Sequence, residues 1–161
     1  MTKFEQLREE VSTRSRMERE YWDSLQEAVI VFRNGFYNYL GLESNEIDDG
    51  KGHKAGIVQV GRVKDGKFEM CAPWAHEKDG KKLSFILFLM LPDSESMEVA
   101  MTSWTKITVS KPFYDEDAIN ISTQDMYQPV LCTKENDKLS LEPFYDELFS
   151  ELVRKISIES L

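Results

Sequence analysis

The first forty residues carry apolar side chains at intervals of three and four. Thr2 and Glu5 have the spacing of a capping box, in which each side chain hydrogen-bonds the backbone amide of the other residue. A helix is therefore predicted over residues 2–40, with Gly41 as its C-terminal cap. Its apolar stripe consists of Phe4, Leu7, Val11, Met17, Tyr21, Leu25, Ala28, Val29, Phe32, Phe36, Tyr39 and Leu40.

A competing interpretation ends this helix near residue 28. The pair Asn34 and Gly35 is a strong signal for a tight turn, which would make residues 29–32 and 36–40 the two strands of a hairpin. The apolar stripe, however, continues through the Asn-Gly pair at the helical spacing. We favour the helix and keep the hairpin as the alternative.

From residue 48 onward the pattern changes to short segments separated by turn residues. Asp-Gly-Lys occurs at 49–51, 65–67 and 79–81, and Asp-Gly favours the tight turns of antiparallel hairpins. An antiparallel meander of about four to five strands is therefore predicted within residues 55–133. The predicted strands are 55–64, 67–72, 83–91, 97–109 and 126–133.

The strand patterns also indicate how the sheet is covered. Residues 83–91 are apolar on both faces, which predicts a central strand with a helix on at least one side. Residues 97–109 alternate between apolar and polar, as in a strand with one buried face. Residues 112–121 are predicted to form a short acidic helix or loop, and an amphipathic helix is predicted over 143–159. The fold class is α+β, with the C-terminal helix packed on the sheet.

The composition describes one folded domain with an acidic surface. The 161 residues are 41% hydrophobic and 30% charged, with a formal net charge of −9. A chain of this size can bury roughly 70% of its unfolded surface. The negative charge opposes binding to nucleic-acid phosphates and to anionic membranes, and it favours a partner protein with a basic surface. A cytoplasmic location is expected, because the first residues lack the apolar segment of a signal peptide and the longest apolar run, 85–91, is too short to cross a bilayer.

The chain offers few groups for catalysis. His53 and His76 are its two histidines, and Cys71 precedes His76 by five residues, so a thiol nucleophile and an imidazole base could meet there. A strand ending near Cys71 and a turn at His76 provide no evident orienting group, so a packed thiol is the favoured interpretation. Metal binding by these residues with Glu77 or Asp79 lacks any standard ligand spacing, and no metal or cofactor is predicted.

One short motif occurs twice: Pro-Phe-Tyr-Asp-Glu stands at 112–116 and again at 143–147. Proline followed by acidic residues favours the first turn of a helix, so two similar helix starts are the simpler explanation. The alternative is a duplicated docking segment of acidic and aromatic residues. The candidate partner-binding residues are Phe113, Tyr114, Asp115, Glu116, Asp117 and Trp74.

The N-terminal helix carries arginines interleaved with glutamates. Pairs such as Glu10 with Arg14 and Arg16 with Glu20 are four residues apart, which predicts a salt-bridged exposed face and no nucleic-acid site. The polar gap between Val11 and Met17 disfavours a long homodimeric coiled coil, although the first two turns could project and pair with another molecule. A homodimer is possible.

The scarcity of catalytic groups and the acidic surface favour a non-enzymatic protein-binding module. The order of elements and the acidity are broadly similar to those of small secretion chaperones and of immunity and inhibitor proteins, at the level of overall shape alone. The expected function is therefore that of an inhibitor, immunity factor or dedicated chaperone. One alternative is a small-ligand-binding domain in which Trp74, Trp104 and the phenylalanines line a pocket between sheet and helix. The other is an enzyme built on Cys71 and His76.

Overall fold

The computed structural model describes residues 1–113, 115 and 117–159, which form two α-helices, a short 3-10 helix and ten strands. Helix α1 spans Lys3–Tyr39, helix α2 spans Glu142–Glu159, and the 3-10 helix spans Pro73–Ala75. The strands are β1 Ile47–Asp48, β2 Lys54–Ala55, β3 Val58–Lys64, β4 Lys67–Met70, β5 Glu77–Asp79, β6 Lys82–Pro92, β7 Val99–Ser110, β8 Ala118–Thr123, β9 Val130–Glu135 and β10 Lys138–Leu139.

Helix α1 begins at the predicted capping box. The Thr2 amide donates to the Glu5 carboxylate at 2.9 Å, and the Glu5 amide donates to the Thr2 hydroxyl at 3.1 Å. Leu40 is the C-terminal cap, one residue before the predicted position, and Gly41 follows it with a φ of 75°, a left-handed conformation that favours glycine.

The hairpin alternative for residues 29–40 is wrong, because α1 runs unbroken through Asn34 and Gly35. Gly35 serves close packing. A β-carbon at this position would overlap the hydroxyl oxygen of Tyr145 on α2. The glycine that looked like a turn residue is therefore a place where a second helix packs against the first.

Eight strands form one antiparallel sheet in the order β10-β9-β8-β7-β6-β3-β4, with β5 also paired to β6. Strand β6 is central, as predicted, and its Leu87 is fully buried. The sheet is larger than predicted, because several strands of two to four residues are too short to show a period of their own. The first two Asp-Gly pairs lie in the connections from β1 to β2 and from β3 to β4, and the third begins at the last residue of β5 and leads into β6.

The core lies between one face of the sheet and the two helices. Phe32 of α1 contacts Phe85 of β6 and Phe144 of α2, with ring centroids 5.3 Å and 6.0 Å apart. Burying one side chain of this size stabilises the fold by roughly 1.5–3 kcal/mol. The remaining large buried side chains are Leu25, Phe36, Ile47, Leu83, Leu87, Ile107, Val109, Ile121 and Leu148.

The prediction of a short helix or loop over 112–121 is wrong in its second half, where β8 pairs with β7 and β9. Ile119 and Ile121 alternate with Asn120, so the period is that of a strand with one buried face. The first copy of the repeated motif therefore precedes a strand, whereas the second begins α2. The last predicted strand, 126–133, is observed as β9 and starts four residues later.

Candidate functional site

The sheet has one face packed against both helices and one face that we call the open face. Successive residues of a strand point to opposite faces, so the buried residues Leu83, Phe85 and Leu87 of β6 place Ile86 and Phe88 on the open face. Within the described part of the chain, both helices pack against the opposite side. The open face is therefore available for contact with another molecule.

Three aromatic rings meet on the open face, from β4, β6 and β7. We call Phe68, Phe88 and Trp104 the aromatic patch. Phe68 stacks on Phe88 with centroids 4.8 Å apart, and Trp104 contacts Phe88 edge-on at 6.1 Å. The strand register explains the cluster, because Trp104 is the direct cross-strand partner of Phe88. Aromatic pairs in such geometries gain about 0.5–1.5 kcal/mol beyond the burial of their surface.

An exposed aliphatic side chain adjoins the aromatic patch. Val63 on β3 is the cross-strand partner of Phe68 and is exposed. Leaving apolar surface in water costs about 25 cal/mol per Å², so the aromatic patch is a candidate interaction surface. Polar side chains also lie on the open face. Ser84 and Thr108 share a hydrogen bond of 3.0 Å, and Lys106 lies 3.5 Å from Glu77.

No protein-family model matches this chain, and no curated protein or solved structure matches it.

The structure brings Cys71 and His76 together, with 3.5 Å between Cys71 Sγ and His76 Nδ1. Burial raises the pKa of the Cys71 thiol above its ordinary value of 9.0, and the nearby Arg62 guanidinium lowers it less. Burial also lowers the pKa of His76 below 6.5, against a smaller opposing effect of a hydrogen bond to the Gly61 backbone. Both shifts stabilise the uncharged forms. The contact is thus that of a neutral thiol with a neutral imidazole, which is typical of packing more than of an activated nucleophile.

The predicted partner-binding residues lie apart from the aromatic patch in sequence, in the connection from β7 to β8 and in the 3-10 helix. The Asp117 amide donates to the Asp115 carboxylate at 3.0 Å, and the Asp117 carboxylate lies 3.7 Å from Lys134 Nζ. Phe113 is fully exposed, and Trp74 is 73% exposed. Tyr114 and Glu116, the remaining two, lie outside the described residues.

The prediction of a pocket lined by Trp74 and Trp104 between sheet and helix is wrong. The Trp104 ring lies on the open face beside Phe88, and the exposed Trp74 lies on the 3-10 helix. An open groove of about 820 Å³ does run between α1 and β3, with Arg33, Asn38, Gln59 and Cys71 among its lining residues. Both polar and apolar side chains line this groove, and neither tryptophan is among them.

Among the described residues, no group of three or more His, Cys, Asp and Glu side chains is arranged to hold a metal ion. In the same part of the chain, no helix is both long and apolar enough to cross a membrane.

Proposed function

We propose that this chain is a non-enzymatic protein-binding module that contacts its partner through the aromatic patch. The observation that carries the proposal is the contiguous cluster of Phe68, Phe88 and Trp104 on the sheet face opposite the helices. Protein interfaces concentrate their binding energy in a few aromatic side chains near the centre of the contact. The neutral contact of Cys71 with His76 favours this function over catalysis.

The chemistry around the aromatic patch indicates the kind of partner. The apolar centre of the aromatic patch favours a partner with apolar side chains at the contact. The net charge of −9 favours basic residues on the partner around those side chains. An inhibitor, an immunity factor or a dedicated chaperone would each use such a surface. A cytoplasmic location belongs to the same proposal, and it is supported by the two free thiols of Cys71 and Cys132.

The proposal is tested by comparing two variants, each of which removes one apolar side chain from the open face. Trp104→Ala removes the tryptophan of the aromatic patch, whereas Leu131→Ala removes an exposed apolar side chain on β9, outside the aromatic patch. Proteins retained from an extract of the source organism are identified with the wild-type chain as bait. Binding of the purified partner is then measured by titration calorimetry.

We expect Trp104→Ala to weaken binding by at least about 30-fold, as for a central aromatic contact, and Leu131→Ala to change it by less than about threefold. Both variants should retain the thermal transition of the parent chain. If Trp104→Ala binds normally while reversal of Asp115 and Asp117 to lysine abolishes binding, the contact lies in the segment 113–117 and the proposal is wrong.

A further inference from the structure

The first half of α1 extends beyond the body of the domain. We call residues 3–20 the arm; at 1.5 Å per residue it is about 27 Å long. All of its side chains are exposed. Its apolar side chains Phe4, Leu7, Val11 and Met17 are between 62% and 68% exposed. An apolar helical stripe of this length in water is an unsatisfied contact surface.

The arm meets the body at Tyr21 and Trp22. The Tyr21 hydroxyl donates to the Lys81 carbonyl in the turn between β5 and β6, and Lys78 Nζ lies 4.8 Å from the centroid of the Trp22 ring. These contacts anchor the arm at one end. They also leave an open groove of about 650 Å³ along the arm, with Met17, Tyr21, Trp22, Gly80 and Lys81 among its lining residues. We call it the base groove.

We propose that a second copy of this chain covers the stripe, with the two arms paired antiparallel. Positions 4, 7, 11, 14, 18 and 21 recur at intervals of three and four and so share one side of the helix. When the two-fold axis passes between residues 12 and 13, the arms overlap along their whole length. Phe4 of each copy then comes level with Tyr21 in the base groove of the other, Leu7 with Glu18, and Val11 with Arg14. The aromatic end of each arm thus meets the aromatic base of the other, and the charged side chains lie in the middle of the contact.

The charges of the arm favour the antiparallel direction of pairing. Residues 3–11 contain two cationic and three acidic side chains, whereas residues 12–20 contain three cationic and two acidic ones. Antiparallel pairing brings these oppositely charged halves together. A parallel pair in register would instead place Arg14 against Arg14 and Glu18 against Glu18 in the middle of the contact, where like charges destabilise.

The charged middle of the stripe also explains why the contact should be moderate in strength. Arg14 and Glu18 of one helix lie 3.3 Å apart and can remain paired within each copy. A contact confined to two short helices is at the small end of specific interfaces. We therefore expect a dimer whose population rises with protein concentration. This inference does not depend on the aromatic patch, which lies on another surface.

The first test is sedimentation equilibrium over a roughly hundredfold range of concentration. The full chain should show a monomer–dimer equilibrium. Leu7→Glu should raise the dimer dissociation constant by at least about tenfold. The matched control is Gln6→Glu, which adds the same charge on the exposed side next to the stripe and should leave the constant within about threefold. A chain that stays monomeric at every concentration overturns the proposal, as does an equal effect of both variants.

The second test determines the direction of pairing from distances between spin labels. Single cysteines at position 6, 12 or 19 are labelled in a Cys71→Ser background, in which the buried Cys132 is left in place. In the antiparallel pair, residue 12 comes level with residue 13 of the other copy, whereas residue 6 comes level with residue 19. The label at 12 should give a short distance, and labels at 6 and 19 should give distances longer by about 10 Å or more, from an axial offset of about 20 Å. Equal distances at all three positions mean a parallel pair and contradict the proposal.

Discussion

Gly35 of α1 lies directly against the phenol group of Tyr145 of α2, and the missing side chain of the glycine makes room for it. The Tyr145 hydroxyl lies 3.4 Å from the carbonyl oxygen of Val31 and 3.5 Å from that of Phe32, so it donates to the backbone of α1. Burial raises the pKa of Tyr145, which keeps the hydroxyl protonated as a donor. The neighbouring rings of Phe32, Phe36 and Tyr39, with centroids between 5.3 and 5.7 Å away, restrict any shift of the tyrosine.

The first prediction follows from this contact. Gly35→Ala should destabilise the protein, because overpacking costs roughly 1–3 kcal/mol. That cost exceeds the gain of about 1 kcal/mol that alanine has over glycine inside a helix. Urea denaturation measures the net loss, which we expect to be about 1 kcal/mol. In a Tyr145→Phe background the same substitution should cost less, and an equal loss in both backgrounds would argue against the contact as its cause.

The second prediction concerns the central strand. Leu87 of β6 is fully buried between the sheet and the helices, so Leu87→Ala should lower the free energy of unfolding by about 2–5 kcal/mol. The control is Met90→Ala on the same strand, which is half-buried on the open face and should cost clearly less. Thermal and urea unfolding of both variants check this order. Comparable losses would mean that the open face is as well packed as the core.

The third prediction concerns Glu151 of α2, whose carboxylate accepts a hydrogen bond from the Thr123 hydroxyl at 2.8 Å. Burial raises the pKa of Glu151 above its ordinary value of 4.5, despite the opposing effect of Thr123. The folded protein therefore holds this proton at a pH where the unfolded chain has released it. The stabilising effect of the protonated acid is complete below pH 4.5 and is lost as the pH rises through the raised value.

Glu151→Gln tests that sign, because the neutral amide imitates the protonated acid. Above pH 4.5 the unfolding free energy of the wild type should fall with pH relative to that of the variant, which should be at least as stable at neutral pH. Denaturation series across this range measure the difference. A variant that loses stability at neutral pH would show that the charged form of Glu151 is the favoured one.

The fourth prediction separates a packed thiol from a catalytic one. Because burial raises the pKa of Cys71, its alkylation rate by iodoacetamide should keep rising with pH up to and beyond 9.0. A thiolate paired with a protonated His76 would instead react at a constant rate from about neutral pH. The measurement uses a Cys132→Ala background, so that the observed alkylation rate is that of Cys71 alone. A plateau below neutral pH that disappears in His76→Ala would favour the enzyme hypothesis.

Local patterns in the sequence determined both helices and the centre of the sheet. The capping box at Thr2 and Glu5 marks the start of α1, and the spacing of its apolar residues carries the helix through Gly35. Residues 83–91 are apolar on both faces, so the chain had to bury them centrally, as it does in β6. These features are predictable because hydrophobic period and capping act between residues close in sequence.

Long-range packing decided the rest. Residues 118–123 form a strand because they pair with β7 and β9. A segment of six residues contains too few alternations of apolar and polar residues to predict a strand from the sequence. The aromatic patch depends on strand register, which brings Phe88 beside Trp104, and on the side of the sheet that the helices cover. A strand that is apolar on both faces does not indicate which face the helices will bury. That choice is a property of the whole assembled core, because burial of either face removes comparable apolar surface from water.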